Sequence, residues 1–227
     1  MEVELVHRPG NSAARLRLAP SETVTAEAGA MICMDGDIAI TTSTHQRGGG
    51  GILKGLKRML GGESFFMNHY QAGASGGEVV VAADLPGDME TIRIEPGHGL
   101  IVQAGSFVAA ESGVDMDMSW QGFGKALFSG EAMFWLRMSG SGKVVLSSFG
   151  AIYPIRVDGE YIVDTGHIVA FEETIDFMIG KAGRSWIKSF LGGEGMVCRF
   201  KGQGTVWSQS HNPSSFGKQL GPLLPAR

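Results

Sequence analysis

The residues best suited to a specific contact are lysines and arginines set among large apolar residues in three segments. The longest, GGGGILKGLKRMLGG at 48–62, spaces its apolar residues as on one side of a helix, with Lys54, Lys57 and Arg58 between them. GFGKALFSG at 122–130 is a reduced version, and AGRSWIKSFLGG at 182–193 is a third. Basic amphipathic helices favour contact with an anionic membrane surface or with a partner's groove. The predicted interaction face comprises Ile52, Leu53, Lys54, Leu56, Lys57, Arg58, Met59, Leu60, Lys125, Leu127, Phe128, Arg184, Trp186, Ile187, Lys188, Phe190 and Leu191.

The same pattern is also typical of a short helix that covers the open end of its own β-module. Such a helix buries its apolar side against the module and leaves its lysines in water. If each segment only caps its module, binding to liposomes should be absent. Both interpretations remain open at the level of sequence.

Motifs of catalysis and metal binding are missing from the chain. The six histidines form neither a His-x-His nor a His-Glu-x-x-His pattern, and no Gly-x-Ser-x-Gly elbow is present. GFGKA at 122–126 ends in alanine where a phosphate loop needs Ser or Thr. Recurring carboxylates around Asp35, Glu111 and Glu172 indicate either a repeated cation site or the solvated face of an edge strand. We therefore predict no enzyme activity, no cofactor and no metal site.

One phrase occurs three times along the chain, and it organises everything else. It reads LRLAPSETVTAEAG at 16–29, IRIEPGHGLIVQAG at 92–105 and IRVDGEYIVDTG at 155–166. An aliphatic residue follows nine places after each closing glycine, and a glutamate precedes each later strand-like run. Self-similarity of this kind predicts repeated structural units. The residues that define the repeat are Arg17, Gly29, Glu63, Arg93, Gly105, Glu131, Arg156, Gly166 and Glu194.

Alternating apolar and polar residues, as in Glu2–Leu5 and Thr91–Ile94, predict half-buried antiparallel strands. With 35 glycines in 227 residues, about twice the usual share, tight turns between short strands are expected. The prediction is an all-β protein of three tandem antiparallel β-sandwich modules with short amphipathic helices inserted. The modules span 1–76, 77–141 and 142–204, followed by a closing strand and tail at 205–227. The strand around Val206 begins a unit that does not continue, so we expect it to join an open edge in this chain or in a neighbour.

A formal net charge of −4 makes nucleic acid an unlikely partner, because nucleic-acid-binding proteins usually carry a basic balance or a concentrated basic face. The beginning, MEVELVHRPG, is charged where a signal peptide is apolar, and no apolar run approaches 18 residues. These features predict a cytoplasmic protein, peripheral at a membrane if the basic segments bind one. Cys33 and Cys198 lie in strand-like runs and are predicted to be buried thiols without a disulfide.

The repeated phrase, with VQAGSFVA at 102–109, GGESFF at 61–66 and the closing TVWSQS, resembles the bacterial and archaeal proteins related to the eukaryotic altered-inheritance-of-mitochondria proteins. The resemblance covers nearly the whole chain, to about residue 210. It implies tandem modules like the tryptophan RNA-binding attenuator protein (TRAP), a small β-sandwich that assembles into rings, and hence a homo-oligomer, with a trimer favoured. That family has no established enzyme activity, in line with the prediction made from the residues. The mitochondrial relatives are associated with the inner membrane, which strengthens the membrane-contact interpretation.

These observations lead to one functional prediction and one alternative. The prediction is a non-catalytic, self-assembling scaffold or interaction protein that contacts a membrane surface or a protein partner through its basic segments. The alternative is a ring-forming protein that binds a small ligand or nucleic acid. Shared fold does not transfer the binding residues of the attenuator protein to this chain.

Overall fold

The computed structural model describes residues 1–44, 66–117, 135–181 and 196–225. These residues form antiparallel sheets and one short α-helix, which confirms the prediction of a mainly β protein. In chain order the strands are β1 (Glu2–Val6), β2 (Ala13–Leu18), β3 (Thr23–Glu27), β4 (Met31–Met34), β5 (Ile38–Thr44), β6 (Phe66–Ala72), β7 (Gly77–Ala82), β8 (Met89–Ile94), β9 (Leu100–Gln103), β10 (Phe107–Glu111), β11 (Val114–Asp117), β12 (Trp135–Gly140), β13 (Gly142–Ser147), β14 (Ile152–Asp164), β15 (Ile168–Glu172), β16 (Asp176–Lys181) and β17 (Met196–Gln209).

The strands assemble into three sheets. The first has the order β1-β2-β7-β4 and the second β5-β6-β3-β10-β13-β8. The third has the order β11-β12-β9-β15-β17-β14, and β16 also pairs with β17. Each sheet therefore combines strands from at least two of the predicted modules, so the sheets cross the predicted module boundaries.

The second and third sheets follow the same order of corresponding strands. Measured from the repeat glycines Gly29, Gly105 and Gly166, β5-β6-β3 correspond to β11-β12-β9, and β10 corresponds to β15. The strand around Val206, the second half of β17, lies between β15 and β14 as β13 lies between β10 and β8. The sequence left open which edge this strand joins; it pairs with β15 and β14 of the same chain, both within the predicted third module.

Three apolar clusters stack the sheets against one another. Leu16 and Tyr70 belong to a cluster that packs the first sheet on the second, and Phe107 belongs to one that packs the second on the third. The last cluster covers the other face of the third sheet. The aliphatic residues nine places after the repeat glycines are buried, one in each cluster: Ile38, Val114 and Ile175. Burial of equivalent positions is what a repeated hydrophobic pattern predicts.

β14 and β17 are separated in the chain by β15 and β16 and form one long antiparallel strand pair in the third sheet. They pair continuously from Ile152↔Gln209 to Asp164↔Val197. In the middle of this pairing Gly159 is opposite Gly202, and both glycines have positive φ, +100° and +113°. The Phe200 ring lies 5.1 Å from the ring of Phe171, whose residue is opposite Val206. Six residues of straight strand would separate Phe200 from Val206 by roughly 20 Å, so the strand pair must bend between them.

An α-helix, α1 (Pro213–Leu220), follows β17 in the segment that the sequence predicts to be a tail. Its N-terminus has the expected signals, since the Asn212 side chain accepts a hydrogen bond from the Ser215 amide at 3.1 Å and proline opens the first turn. Phe216 packs edge-on against Phe149, with ring centroids 5.2 Å apart. None of the helices within the described ranges has the length and apolar content needed to span a bilayer.

Candidate functional site

The predicted interaction face, at 52–60, 123–128 and 184–191, lies outside the described residues, and so do Glu63, Glu131 and Glu194. The structure does describe the two strands that precede and follow each basic segment. The first segment connects β5 to β6, the second connects β11 to β12, and the third connects β16 to β17. The connected strands are direct antiparallel neighbours in every case.

The strand registers show that the strand residues on the two sides of each segment are paired with each other. Thr44 is opposite Phe66, Asp117 is opposite Arg137, and Lys181 is opposite Met196. Because each pair lies at the end of a ladder, the described residues that flank each segment lie at one end of a strand pair. The three insertion points also occupy the same position in the repeat.

The recurring carboxylates have a structural role that the sequence did not resolve. Asp35 Oδ2 accepts a hydrogen bond from the Glu78 amide at 2.8 Å, and Glu111 Oε2 accepts one from the Lys143 amide at 2.8 Å. Glu172 Oε2 completes the series by accepting from the Thr205 amide at 3.0 Å. Carboxylates that accept from backbone amides form strong, charge-assisted hydrogen bonds. Each of these side chains therefore anchors the strand of the following repeat.

The repeat arginines are exposed strand residues on the polar side of the alternation. Arg17 forms ion pairs with Glu2, Glu4 and Glu78, at N–O distances of 3.0–3.5 Å. Arg93 and Arg156 are likewise exposed, on β8 and on the first half of β14. Exposed pairs of this kind usually stabilise a fold by about 0–1 kcal/mol.

The three repeat glycines are not equivalent in conformation. Gly29 has a φ of +96°, a region that favours glycine. Gly105 and Gly166 instead lie in 3₁₀ turns at Ala104–Ser106 and Thr165–His167. The repeat glycine therefore marks a turn in each copy, although the turn type differs.

A buried carboxylate, Asp88, joins two loops and was not singled out by any motif. It accepts hydrogen bonds from Arg8 Nε and Ser12 Oγ, each at 2.8 Å, and from the Met89 amide at 2.8 Å. Burial raises the pKa of Asp88, but the hydrogen bonds from Arg8, Ser12 and Met89 outweigh it, so the pKa lies below its ordinary value. Asp88 is thus held as a carboxylate and ties the β1–β2 loop to the β7–β8 loop.

One histidine, His69, lies in a cross-strand series with two hydroxyl groups. Its Nε2 is 2.7 Å from Ser43 Oγ and its Nδ1 is 2.8 Å from Thr25 Oγ1. A Ser-His pair resembles the start of a catalytic triad, but a triad needs a carboxylate on the second nitrogen to stabilise the imidazolium. Thr25 is neutral and buried. The arrangement therefore acts as a cross-strand hydrogen-bond ladder that links β5, β6 and β3.

The thiols differ from the prediction in one respect. Cys198 is buried, and this burial raises its pKa to about 12, which leaves it protonated at neutral pH. Cys33 is exposed on β4, so the prediction that it is buried is wrong for the isolated chain. Within the described ranges, no group of three or more His, Cys, Asp or Glu residues is arranged to hold a metal ion.

Comparison with known proteins extends these observations. A solved structure, the crystal structure of a Streptococcus pyogenes protein, matches with a TM-score of 0.79 and 24% identity, covering 98% of this chain and 99% of that chain. At this identity the likeness supports the shared fold. An uncharacterised protein of Streptococcus pyogenes serotype M6 is 30% identical over 210 residues, which is 89% of this chain and 83% of that protein. The model of the mitochondrial biogenesis AIM24 family matches residues 3–211. The chain belongs to the mitochondrial biogenesis AIM24 family.

Proposed function

We propose that this chain is a non-catalytic, self-assembling scaffold of three tandem TRAP-like modules that contacts an anionic membrane surface through its basic segments. The observation that carries the proposal is the common position of the three insertions. Each segment is inserted between two directly paired strands, at the same point of the repeat. Repetition of one insertion point presents the same kind of surface several times, and multivalent contact raises avidity without stronger single contacts.

The charge of these segments supports a membrane as the target. The stretches 52–60, 123–128 and 184–191 contain lysine or arginine without any acidic residue, whereas the whole chain carries a net charge of −4. Basic residues near an anionic bilayer each contribute about 1 kcal/mol of binding, and apolar neighbours add contact with the lipid boundary. A protein whose overall charge opposes binding to anionic lipid would therefore depend on these local segments.

Flotation with vesicles tests the proposal. We expect the wild-type protein to float with vesicles of phosphatidylcholine and phosphatidylserine and to remain unbound with phosphatidylcholine alone. The triple variant K54E/K57E/R58E should bind at least about 100-fold more weakly, because three contributions of about 1 kcal/mol are lost.

A variant with three exposed charges reversed elsewhere, R93E/R156E/K218E, is the matched control and should keep most of its binding. If both triple variants lose binding equally, the effect follows net charge and the basic segment at 52–60 is not the contact. Absence of flotation by the wild-type protein would contradict membrane contact directly. Salt-dependent retention of RNA by the wild-type protein, without vesicle binding, would favour the nucleic-acid alternative.

A further inference from the structure

Two of the sheet edges in the described part of the chain, β4 and the outer half of β14, matter here because of the side chains they expose. β4 pairs with β7 and has no second neighbour in the first sheet. The outer half of β14, residues 160–164, pairs with β17, and none of the described strands lies on its other side. Unpaired backbone N–H and C=O groups on such edges are templates for another strand.

Burial at these two edges departs from the rest of the repeat. All four residues of β4 are exposed, whereas the corresponding residues of β10 and β15 are buried. Similarly, Tyr161 and Ile162 are 46% and 45% exposed, while the corresponding residues of β3 and β9 are buried. The exposed residues are apolar: Met31, Ile32, Cys33, Met34, Tyr161 and Ile162. The positions of β4 are thus exposed in the first copy and buried in the other two. The positions of Tyr161 and Ile162 are exposed in the last copy and buried in the other two.

The covered copies follow a fixed register. Between β3 and β10, Ala26 is opposite Ala109 and Thr25 is opposite Ala110. The same positions are paired between β9 and β15, where Val102 is opposite Ala170. In both cases the residue three places before one repeat glycine is opposite the residue four places after the next repeat glycine.

The same register can be applied to the two open edges. Three places before Gly166 is Val163, and four places after Gly29 is Cys33. We propose that residues 160–164 of one copy pair antiparallel with β4 of a second copy, with Val163 opposite Cys33 and Ile162 opposite Met34. This inference rests on the self-assembly in the proposed function and names the surface that carries it.

A second copy fits these edges better than an unrelated strand. Each folded chain presents one edge of each kind, and within the described ranges the corresponding strands pair with each other, β3 with β10 and β9 with β15. The proposed union of two chains is head to tail, so every copy uses β4 on one side and the outer half of β14 on the other. Pairing would cover the apolar side chains that the isolated chain leaves in water, as the internal pairs do.

Cross-linking between separately made chains tests the register. One chain carries C33S and M34C, and the other carries C33S and I162C; both retain Cys198, which burial keeps protonated and out of reach. A short bismaleimide should join the two chains only when they are mixed and allowed to re-equilibrate. In the control, C33S/M178C replaces the second chain, because Met178 is 69% exposed on β16, which β17 separates from the proposed β14 edge. Cross-linking with the control as efficient as with I162C would overturn the register.

Solution mass tests the interface independently. Wild-type protein should be larger than one 24.1 kDa chain by light scattering, and both M34K and I162K should reduce it to a single chain with an unchanged circular dichroism spectrum. M178K should keep the wild-type mass. If wild-type protein is a single chain, self-assembly and this interface both fail. If it is assembled and both lysine variants stay assembled, this interface fails while self-assembly stands.

Discussion

The partly buried Glu27 predicts that the stability of this fold depends on pH. This residue closes β3 opposite Met67, and burial, followed by the negative charge of Asp84, raises its pKa from the ordinary 4.5 to about 7. The folded protein therefore holds a proton between about pH 4.5 and pH 7 that the unfolded chain releases. Stability from this group is fully present below pH 4.5 and is lost as the pH rises to about 7.

The magnitude follows from the two pKa values. At roughly 1.4 kcal/mol per pKa unit, the difference corresponds to at most about 3 kcal/mol of unfolding free energy. The variant E27Q cannot ionise, so it should escape this loss. Relative to the wild-type protein, E27Q should gain up to about 3 kcal/mol between pH 4.5 and pH 8.

Urea denaturation measured at several pH values is the appropriate assay, because it yields the unfolding free energy at constant temperature. The exposed variant E95Q serves as the control and should follow the wild-type pH dependence. D84N removes the charge that faces Glu27 and should reduce the loss. If the unfolding free energies of E27Q and wild-type protein run parallel from pH 4.5 to pH 8, the reasoning about Glu27 is refuted.

Three further substitutions test other parts of the fold in the same denaturation assay. D88A should cost about 2–3 kcal/mol, because it leaves buried donors without an acceptor. The difference in unfolding free energy from wild type should narrow as the pH falls below about 3.8, because the unfolded chain then binds a proton that the folded Asp88 carboxylate resists; a difference independent of pH would contradict this. E172A should cost about 1–2 kcal/mol by freeing the buried Thr205 amide, and a neutral result would show that the carboxylate is no anchor. G159A should cost about 1 kcal/mol from its φ of +100° alone, since an added Cβ meets nothing within 4 Å, whereas G180A, equally open without positive φ, should not destabilise.

The repeat could be recognised in the sequence because similar local patterns recur at fixed offsets. The buried aliphatic series Ile38, Val114 and Ile175 follows from counting nine residues after each glycine. The β character follows from period-two alternation. The role of Asp35, Glu111 and Glu172 could not be read, because a carboxylate on a solvated face and one that accepts from a distant amide have the same sequence.

The contacts of Asp88 and His69 could not be predicted from the sequence for a related reason. Arg8 and Asp88 are 80 residues apart, and Thr25 and His69 are 44 apart, with no motif to connect them. Their contacts exist because two loops and three strands meet in space. The prediction that Cys33 is buried was wrong because β4 is as apolar as a covered strand but lies at the edge of the first sheet.

The sequence by itself determined the repeat, the β character and the positions of the buried aliphatic residues, because each depends on side chains within one short stretch. Only the tertiary structure decided which strands are neighbours and that each sheet combines strands from different predicted modules. It also decided that, among the described strands, β4 and the outer half of β14 expose apolar side chains at a sheet edge. The physical reason is that strand pairing uses backbone groups that every residue carries, so the choice of partner depends on which edges the rest of the chain has already covered.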